Sequence, residues 1–244
     1  MITNYSSKTL LALATAGALC AAATPKAHAD FSLELKSGAQ TMIIPDNSGL
    51  DMSSTPGLIV FSGSIGTFSI NITTGVANPI SGSLTQPALD LNSIDVSGGT
   101  GTLEILLSAS GLGPTTGTLL AQIGGTVNNN GGSLVYKTFD APNNALFGET
   151  NELTSEGPFG PGAFSSTATT TGSLILSSPY SLTEDVTINH TAGGTSSFDG
   201  EASFGPQTGV IPEPNSLTLL AVGLAGFVVW RLRRMRGLAG VGIL

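Results

Sequence analysis

Cysteine is nearly missing from this sequence. Cys20 stands alone, so no intramolecular disulfide can form. Stability must come from packing, which about 180 residues can supply without covalent help. Basic residues are scarce too. Between residues 30 and 211 only Lys36 and Lys137 are basic, against fifteen acidic residues, a net charge of 2 − 15 = −13. Neutralising phosphates takes a surface of cations, so nucleic-acid binding is excluded for this stretch. Aromatic side chains with a polar edge are few: Tyr136 and Tyr180 are its tyrosines, and it has no tryptophan. A glycan cleft built on flat rings is therefore poorly supported. Helix formers such as Lys, Arg, Glu and Gln are thin outside the two ends, while Gly, Ser and Thr abound. That balance favours strands over helices.

The N-terminus reads "MITNYSSKTLLALATAGALCAAATPKAHAD". Lys8 precedes an apolar run from Leu10 to Ala23, and Ala27-His28-Ala29 forms a small-x-small site before Asp30. This three-part order predicts a secretory signal peptide over residues 1–29, cut after Ala29. The run is short for spanning about 30 Å of hydrocarbon as an uncleaved anchor. A lipoprotein signal at Cys20, after "AGAL", fits less well, because the chain stays apolar beyond Cys20 and then reaches A-H-A.

Residues 30–209 predict one exported β-domain. "FSLELK" puts Phe31, Leu33 and Leu35 on one face. "TFSINIT" does so with Phe68, Ile70 and Ile72, and "TLEILLS" with Leu103, Ile105 and Leu107. "SLILSS" and "DVTIN" are shorter cases. A period of two predicts half-buried strands. The clusters "PDNSG", "GGTG", "GLGP", "NNNGG", "APNN" and "AGG" supply turns between them. The expected fold is all-β, an antiparallel sandwich or jelly-roll-like domain. A signal helix is expected before it and a transmembrane helix after it. Residues 154–172, "TSEGPFGPGAFSSTATTTG", are the best candidate for a long loop, with an edge strand near Ala163 to Thr170 as the alternative.

Catalytic chemistry finds little to use. His190, the only histidine after residue 28, stands in "TINHTAGG". A Ser–His–acid triad would need a nucleophile and an orienting acid beside it, and no G-x-S-x-G elbow accompanies it. An exposed turn histidine is the expectation. The acidic pairs Glu184-Asp185 and Asp199/Glu201 could serve glycoside hydrolysis in principle, but read more simply as solvated surface. One histidine and no cysteine assemble no zinc site. Calcium is the metal that the residues could favour. "PDNSGLD" offers Asp46 and Asp51 with Asn47 and Ser48, and "DLNSID" offers Asp90 and Asp95 with Asn92. Oxygen donors on such loops suit Ca²⁺, but neither stretch matches the twelve-residue calcium loop. Asx-turns explain the same residues equally well. No other cofactor is expected. The sequons Asn71-Ile72-Thr73 and Asn189-His190-Thr191 are short enough to arise by chance.

The C-terminus closes with "VIPEPNSLTLLAVGLAGFVVWRLRRMRG". Leu217 to Trp230 is uncharged for fourteen residues, about 21 Å as a helix. Asn215, Ser216 and Leu232 extend it toward the lower limit for a span. Pro212 and Pro214 stop helix on one side. Arg231, Arg233, Arg234 and Arg236 follow on the other and favour a cytoplasmic C-terminal end. These features resemble the PEP-CTERM sorting signal of exported Gram-negative bacterial proteins: Pro212-Glu213-Pro214, an apolar helix, then a basic cluster. The resemblance covers roughly the last 35 residues and implies the segments 210–236 for the signal and 237–244 for a short cytoplasmic extension. That extension, "GLAGVGIL", departs from the family, which usually ends soon after its basic cluster.

What the resemblance implies is a partner and a destination. Exosortase, a membrane-embedded enzyme resembling a cysteine protease-transpeptidase, would recognise the tail and process it near Pro-Glu-Pro. The general secretion machinery and the inner membrane would be earlier partners. The body would then reach the cell surface or an extracellular polymer matrix. The expected function is a non-enzymatic surface or matrix protein linked to exopolysaccharide and biofilm. A carbohydrate- or calcium-binding adhesion module is the alternative, and a secreted hydrolase a weaker one.

Overall fold

The structure is a computed structural model that describes residues 30–78, 81–128 and 132–205. The expected signal peptide and transmembrane helix lie outside these residues. Among the described residues there is no α-helix, and none is long and apolar enough to cross a membrane.

Among the described residues thirteen strands form two antiparallel sheets. The first, sheet A, runs in the order β2 (Gln40–Pro45), β1 (Phe31–Ser37), β6 (Gly101–Leu112), β12 (Tyr180–His190), β8 (Ser133–Ala141), β9 (Asn151–Phe159). The second, sheet B, runs β10 (Gly162–Thr169), β7 (Thr115–Asn128), β13 (Gly194–Gly205), β5 (Ala88–Gly98), β4 (Phe68–Val76), β3 (Leu58–Ile65). The short β11 (Leu174–Leu176) pairs with β7. The later strands pair in nested order: β5 with β13, β6 with β12, β7 with β10, β8 with β9. That nesting is the connectivity of a jelly roll, with β1–β2 and β3–β4 added at the edges.

The alternation seen in the sequence sets which face is inside. Phe31, Leu33 and Leu35 of β1, Phe68, Ile70 and Ile72 of β4, and Leu103, Ile105 and Leu107 of β6 are all buried in one core shared by the two sheets. Val186 and Ile188 of "DVTIN" join them. Each such side chain contributes roughly 1.5–3 kcal/mol by leaving water. Leu107 reaches across to sheet B, where a Cβ added at Gly75 would meet it at 3.0 Å.

The long loop expected over 154–172 is not there. β9 and β10 occupy most of that segment, one in each sheet. Proline and glycine at 157–162 mark only the corner between sheets, where Phe159 and Phe164 stack with centroids 4.4 Å apart. β10 is the edge strand that the alternative reading placed near Ala163 to Thr170. Its Ser165 and Thr167 point to solvent, so its pattern carries little apolar signal.

Candidate functional site

The open surface is the outer face of sheet B. A groove of about 480 Å³ crosses β10, β7, β13 and β5 there. Adjacent strand positions put Thr167, Gln122, Glu201 and Asp90 in one cross-strand row. Gly124 and Asp199 stand paired in the neighbouring row. A bulge shapes one wall: the β13–β5 register shifts between Phe198 and Gly200, and Ser93 adopts φ 53°. The Asp199 carboxylate fixes this bulge by accepting the Ser93 N–H. Asp90 is half-buried, and loss of solvent, with Glu201 and Asp199 nearby, pushes its carboxyl up to about 6. The groove thus offers carboxylates, amides and hydroxyls, and no aromatic ring. Such a surface can hydrogen-bond a polyhydroxylated chain or attract a cationic one.

Behind this wall lies a different acid. Glu184, expected on the surface, is 0% exposed. Leu107, Glu184 and Thr138 are cross-strand neighbours on the inner face of sheet A. The Tyr136 hydroxyl donates to Glu184 Oε1 at 2.6 Å. Burial holds the Glu184 carboxyl well above its usual range, and the Tyr136 phenol well above its own. Asp185 points the opposite way but is also covered; burial, then Glu149 and Glu104, push it up to about 7. The solvated-surface expectation holds for Asp199 and Glu201 and is corrected for Glu184 and Asp185. An adjacent pair in a strand cannot share one face, and both faces of sheet A are covered here.

His190 is likewise corrected. It is 1% exposed at the end of β12, not in a turn. Its Nδ1 lies 2.9 Å from the Gly98 carbonyl oxygen and its Nε2 2.9 Å from Ser196 Oγ. Phe68 packs against the ring at 5.5 Å. The Ser196–His190 pair has the spacing of a nucleophile and base, yet both are buried, and a carbonyl takes the place of an orienting acid. The pair ties β12 to β5 and β13.

The two acidic loops differ. Asp51 is buried, and its carboxylate accepts N–H groups from Asn47 at 2.9 Å, Ser53 at 2.9 Å and Val60 at 3.0 Å. Asp46 Oδ2 accepts the Gly57 N–H at 2.9 Å. N–H groups of its own turn and of β3 thus engage the Asp51 carboxylate, while Asp46 Oδ1 and Ser48 Oγ are buried in the same loop without a hydrogen-bond partner. Asp90 and Asp95 flank the bulge of β5, and only Asp90 lines the groove. No group of three or more His, Cys, Asp or Glu that could hold a metal occurs among the described residues.

Pro212, Glu213 and Pro214, the run Leu217 to Trp230, and Arg231, Arg233, Arg234 and Arg236 lie outside the described residues, as do Ala27 and Ala29. Asp30 opens the described chain, and its carbonyl accepts the Ser110 N–H at 2.9 Å.

Fold and surface together define a two-sheet antiparallel β-domain with an acidic groove on one outer face. Residues 210–234 match the family model described as the PEP-CTERM protein-sorting motif. A chain with this signal is exported to the cell surface or beyond, and the signal is one that exosortase recognises. No curated protein matches the chain. Among solved structures, the K1 cleaved adhesin domain of Lys-gingipain from Porphyromonas gingivalis W83 is similar at 13% identity, over 71% of this chain and 98% of that one, with TM-score 0.34. TmCBM61, solved with β-1,4-galactotriose, is similar at 11% identity, over 59% and 92%, with TM-score 0.24. The isomalto-dextranase of Arthrobacter globiformis T6, solved with panose, follows at 12% identity, over 61% and 22%, with TM-score 0.25. Likenesses this weak assign no role to any residue of this chain.

Proposed function

We propose that this chain is a non-enzymatic surface or matrix protein of a Gram-negative bacterium. Its signal peptide exports it, its tail holds it transiently in the inner membrane, and exosortase processing releases it to an exopolysaccharide matrix. The single observation that carries this reading is the sorting motif at residues 210–234. The β-domain then contacts the polymer through the groove of sheet B, whose amides, hydroxyls and carboxylates match a chain rich in hydroxyl groups. Burial of His190, Ser196 and Glu184 supports a role without catalysis, because no substrate reaches them. No cofactor is needed for this contact.

Deleting residues 212–236 tests the sorting step. The deleted protein should fail to reach the surface or matrix, read by fractionation; normal delivery would sink the proposal. Retention on the producer's own polymer, with Ca²⁺ and with chelator, tests the contact. We expect retention in both conditions and one melting curve for both. Retention that appears only with Ca²⁺ would instead favour a calcium-dependent adhesion module.

A further inference from the structure

Strand β7 carries two adjacent glycines, and the fold accounts for only one of them. At Gly125 an added Cβ would lie 2.2 Å from the Ser197 carbonyl oxygen, so the close approach of β13 requires glycine there. At Gly124 an added Cβ would meet only the Phe164 carbonyl oxygen, at 3.7 Å, which is an ordinary contact. The φ angle of Gly124 lies outside the left-handed region. It sits at no bulge either, because β7 runs through it in unbroken register with β10 and with β13. Glycine inside a strand weakens it, and where no bulge or bend calls for it, it marks a close approach by another backbone or by a ligand. No other atom of the described residues comes within 4 Å of that added Cβ beyond its chain neighbours. A ligand is what remains.

Gly124 is half-buried and lines the groove on the outer face of sheet B. Ser165, Gly124 and Asp199 are successive partners across β10, β7 and β13. The Ser93 N–H holds the Asp199 carboxylate toward β5, so this row is low around the bare backbone at its centre. The longer side chains of Thr167, Gln122, Glu201 and Asp90 stand beside it as a wall. From β10 to β5 the groove crosses four strands, about 14 Å at the usual strand spacing, which is longer than one sugar ring. Three carboxylates line it and, among the described residues, no Lys, Arg or His does. We propose that Gly124 is the specificity-determining seat of this groove: a polysaccharide chain without acidic groups crosses the strands and lays one sugar ring on the bare peptide, where a side chain would otherwise stand. The proposal rests on the polymer contact of the proposed function. Bare peptide takes the place of the aromatic platform that the groove lacks. Ser165, Thr167 and Gln122 hydrogen-bond the hydroxyls of the ring, and Asp90, Asp199 and Glu201 repel uronate, sulfate or phosphate groups.

The test uses the full chain in detergent and the producer's own polymer, split by anion exchange into a fraction free of acidic groups and an acidic fraction. Gly124→Val fills the seat, and Gly124→Ala fills it in part. Gly193→Val, in the β12–β13 turn where an added Cβ meets nothing within 4 Å, is the control. We expect the unaltered chain and Gly193→Val to be retained on the first fraction only. Gly124→Val should weaken that retention by more than about tenfold, and Gly124→Ala by less, with neither melting lower than the unaltered chain. Undiminished retention of Gly124→Val, or an equal loss in Gly193→Val, overturns the seat and leaves the polymer contact standing. Retention of the unaltered chain on the acidic fraction overturns the ligand class. Retention on neither fraction overturns the polymer contact, and the seat with it. Should Gly124→Val melt lower, Gly124→Ala decides, and full retention by that variant overturns the seat.

Discussion

The two sheets share one core and one pattern of pairing, yet their outer faces have opposite fates. On sheet A the outer positions Ser32, Leu106, Ser108 and Thr183 are buried. The connection between β8 and β9 lies over them: the Phe147 N–H donates to Ser108 Oγ at 3.0 Å, and Ser181 Oγ donates to the Ala145 carbonyl at 2.6 Å. On sheet B the corresponding face keeps Asn71, Asp95, Gln122, Thr126, Asp199 and Glu201 exposed. Polar residues on a strand thus mean different things on the two sheets. On A they satisfy a covering loop, and on B they meet solvent or a ligand. Changes on A, or between the sheets, should move stability alone. Changes on the outer face of B should move binding alone.

The largest effect should come from the shared core. Leu107→Ala removes a fully buried side chain that touches both sheets, and should cost about 2–5 kcal/mol. Denaturant unfolding followed by tyrosine fluorescence and by circular dichroism should still give one coincident transition. Two separated transitions would show that the sheets are independent units and would break the comparison at its root. Gly125→Ala comes next. A Cβ there would lie 2.2 Å from the Ser197 carbonyl oxygen and 2.8 Å from Phe198 Cα, backbone atoms that cannot swing aside. A loss of roughly 1–3 kcal/mol is expected, and an unchanged melting temperature would mean that the β7–β13 pairing yields more easily than described.

Buried carboxyls set the pH dependence. Folding raises the values of Asp90, Asp185 and Glu184, so the folded chain holds more protons than the unfolded one above about pH 4. Stability should therefore fall as pH rises, through about 6 for Asp90 and about 7 for Asp185. Glu184, raised by its burial, adds to the loss. Melting temperature should be higher at pH 5 than at pH 8. Glu184→Gln keeps an acceptor for the Tyr136 hydroxyl and removes the acid. It should stabilise the domain at pH 8 by about 1–3 kcal/mol and flatten the slope. A steeper slope in this variant would show that the carboxyl is ionised and matched in the fold.

Particular residues show how far the sequence could be read. Phe31, Leu33 and Leu35 alternate cleanly because β1 has one face on the core, and the strands at Phe68 and Leu103 were legible for the same reason. The sorting signal at 210–234 was legible because its three parts are local and ordered. β9 was not, and β10 only as the alternative to a loop, since Gly157, Pro158, Gly160, Pro161 and Gly162 resemble a loop while marking only a corner. The covers over Glu184, Asp185 and His190 come from strands and loops distant in sequence, so no local pattern announces them. The N–H partners of Asp51 were out of reach too, because they come together only when the turn closes. The groove on sheet B was out of reach because it joins Asp90, Gln122, Thr167 and Glu201 from four strands.

The smallest effect on stability should accompany the most informative effect on binding. Glu201→Gln and Gln122→Ala change exposed side chains in the middle of the groove, and surface changes of this kind usually stay within about 0.5 kcal/mol. Both should weaken retention on the polymer. Glu201→Gln keeps the shape and amide-like bonding while removing charge, so it separates two kinds of ligand. A neutral polyhydroxylated chain should tolerate it better than Gln122→Ala. A cationic polymer should be released by it more than by Gln122→Ala, with retention falling as salt screens the carboxylates. If neither variant alters retention, the open face of sheet B is not the binding face.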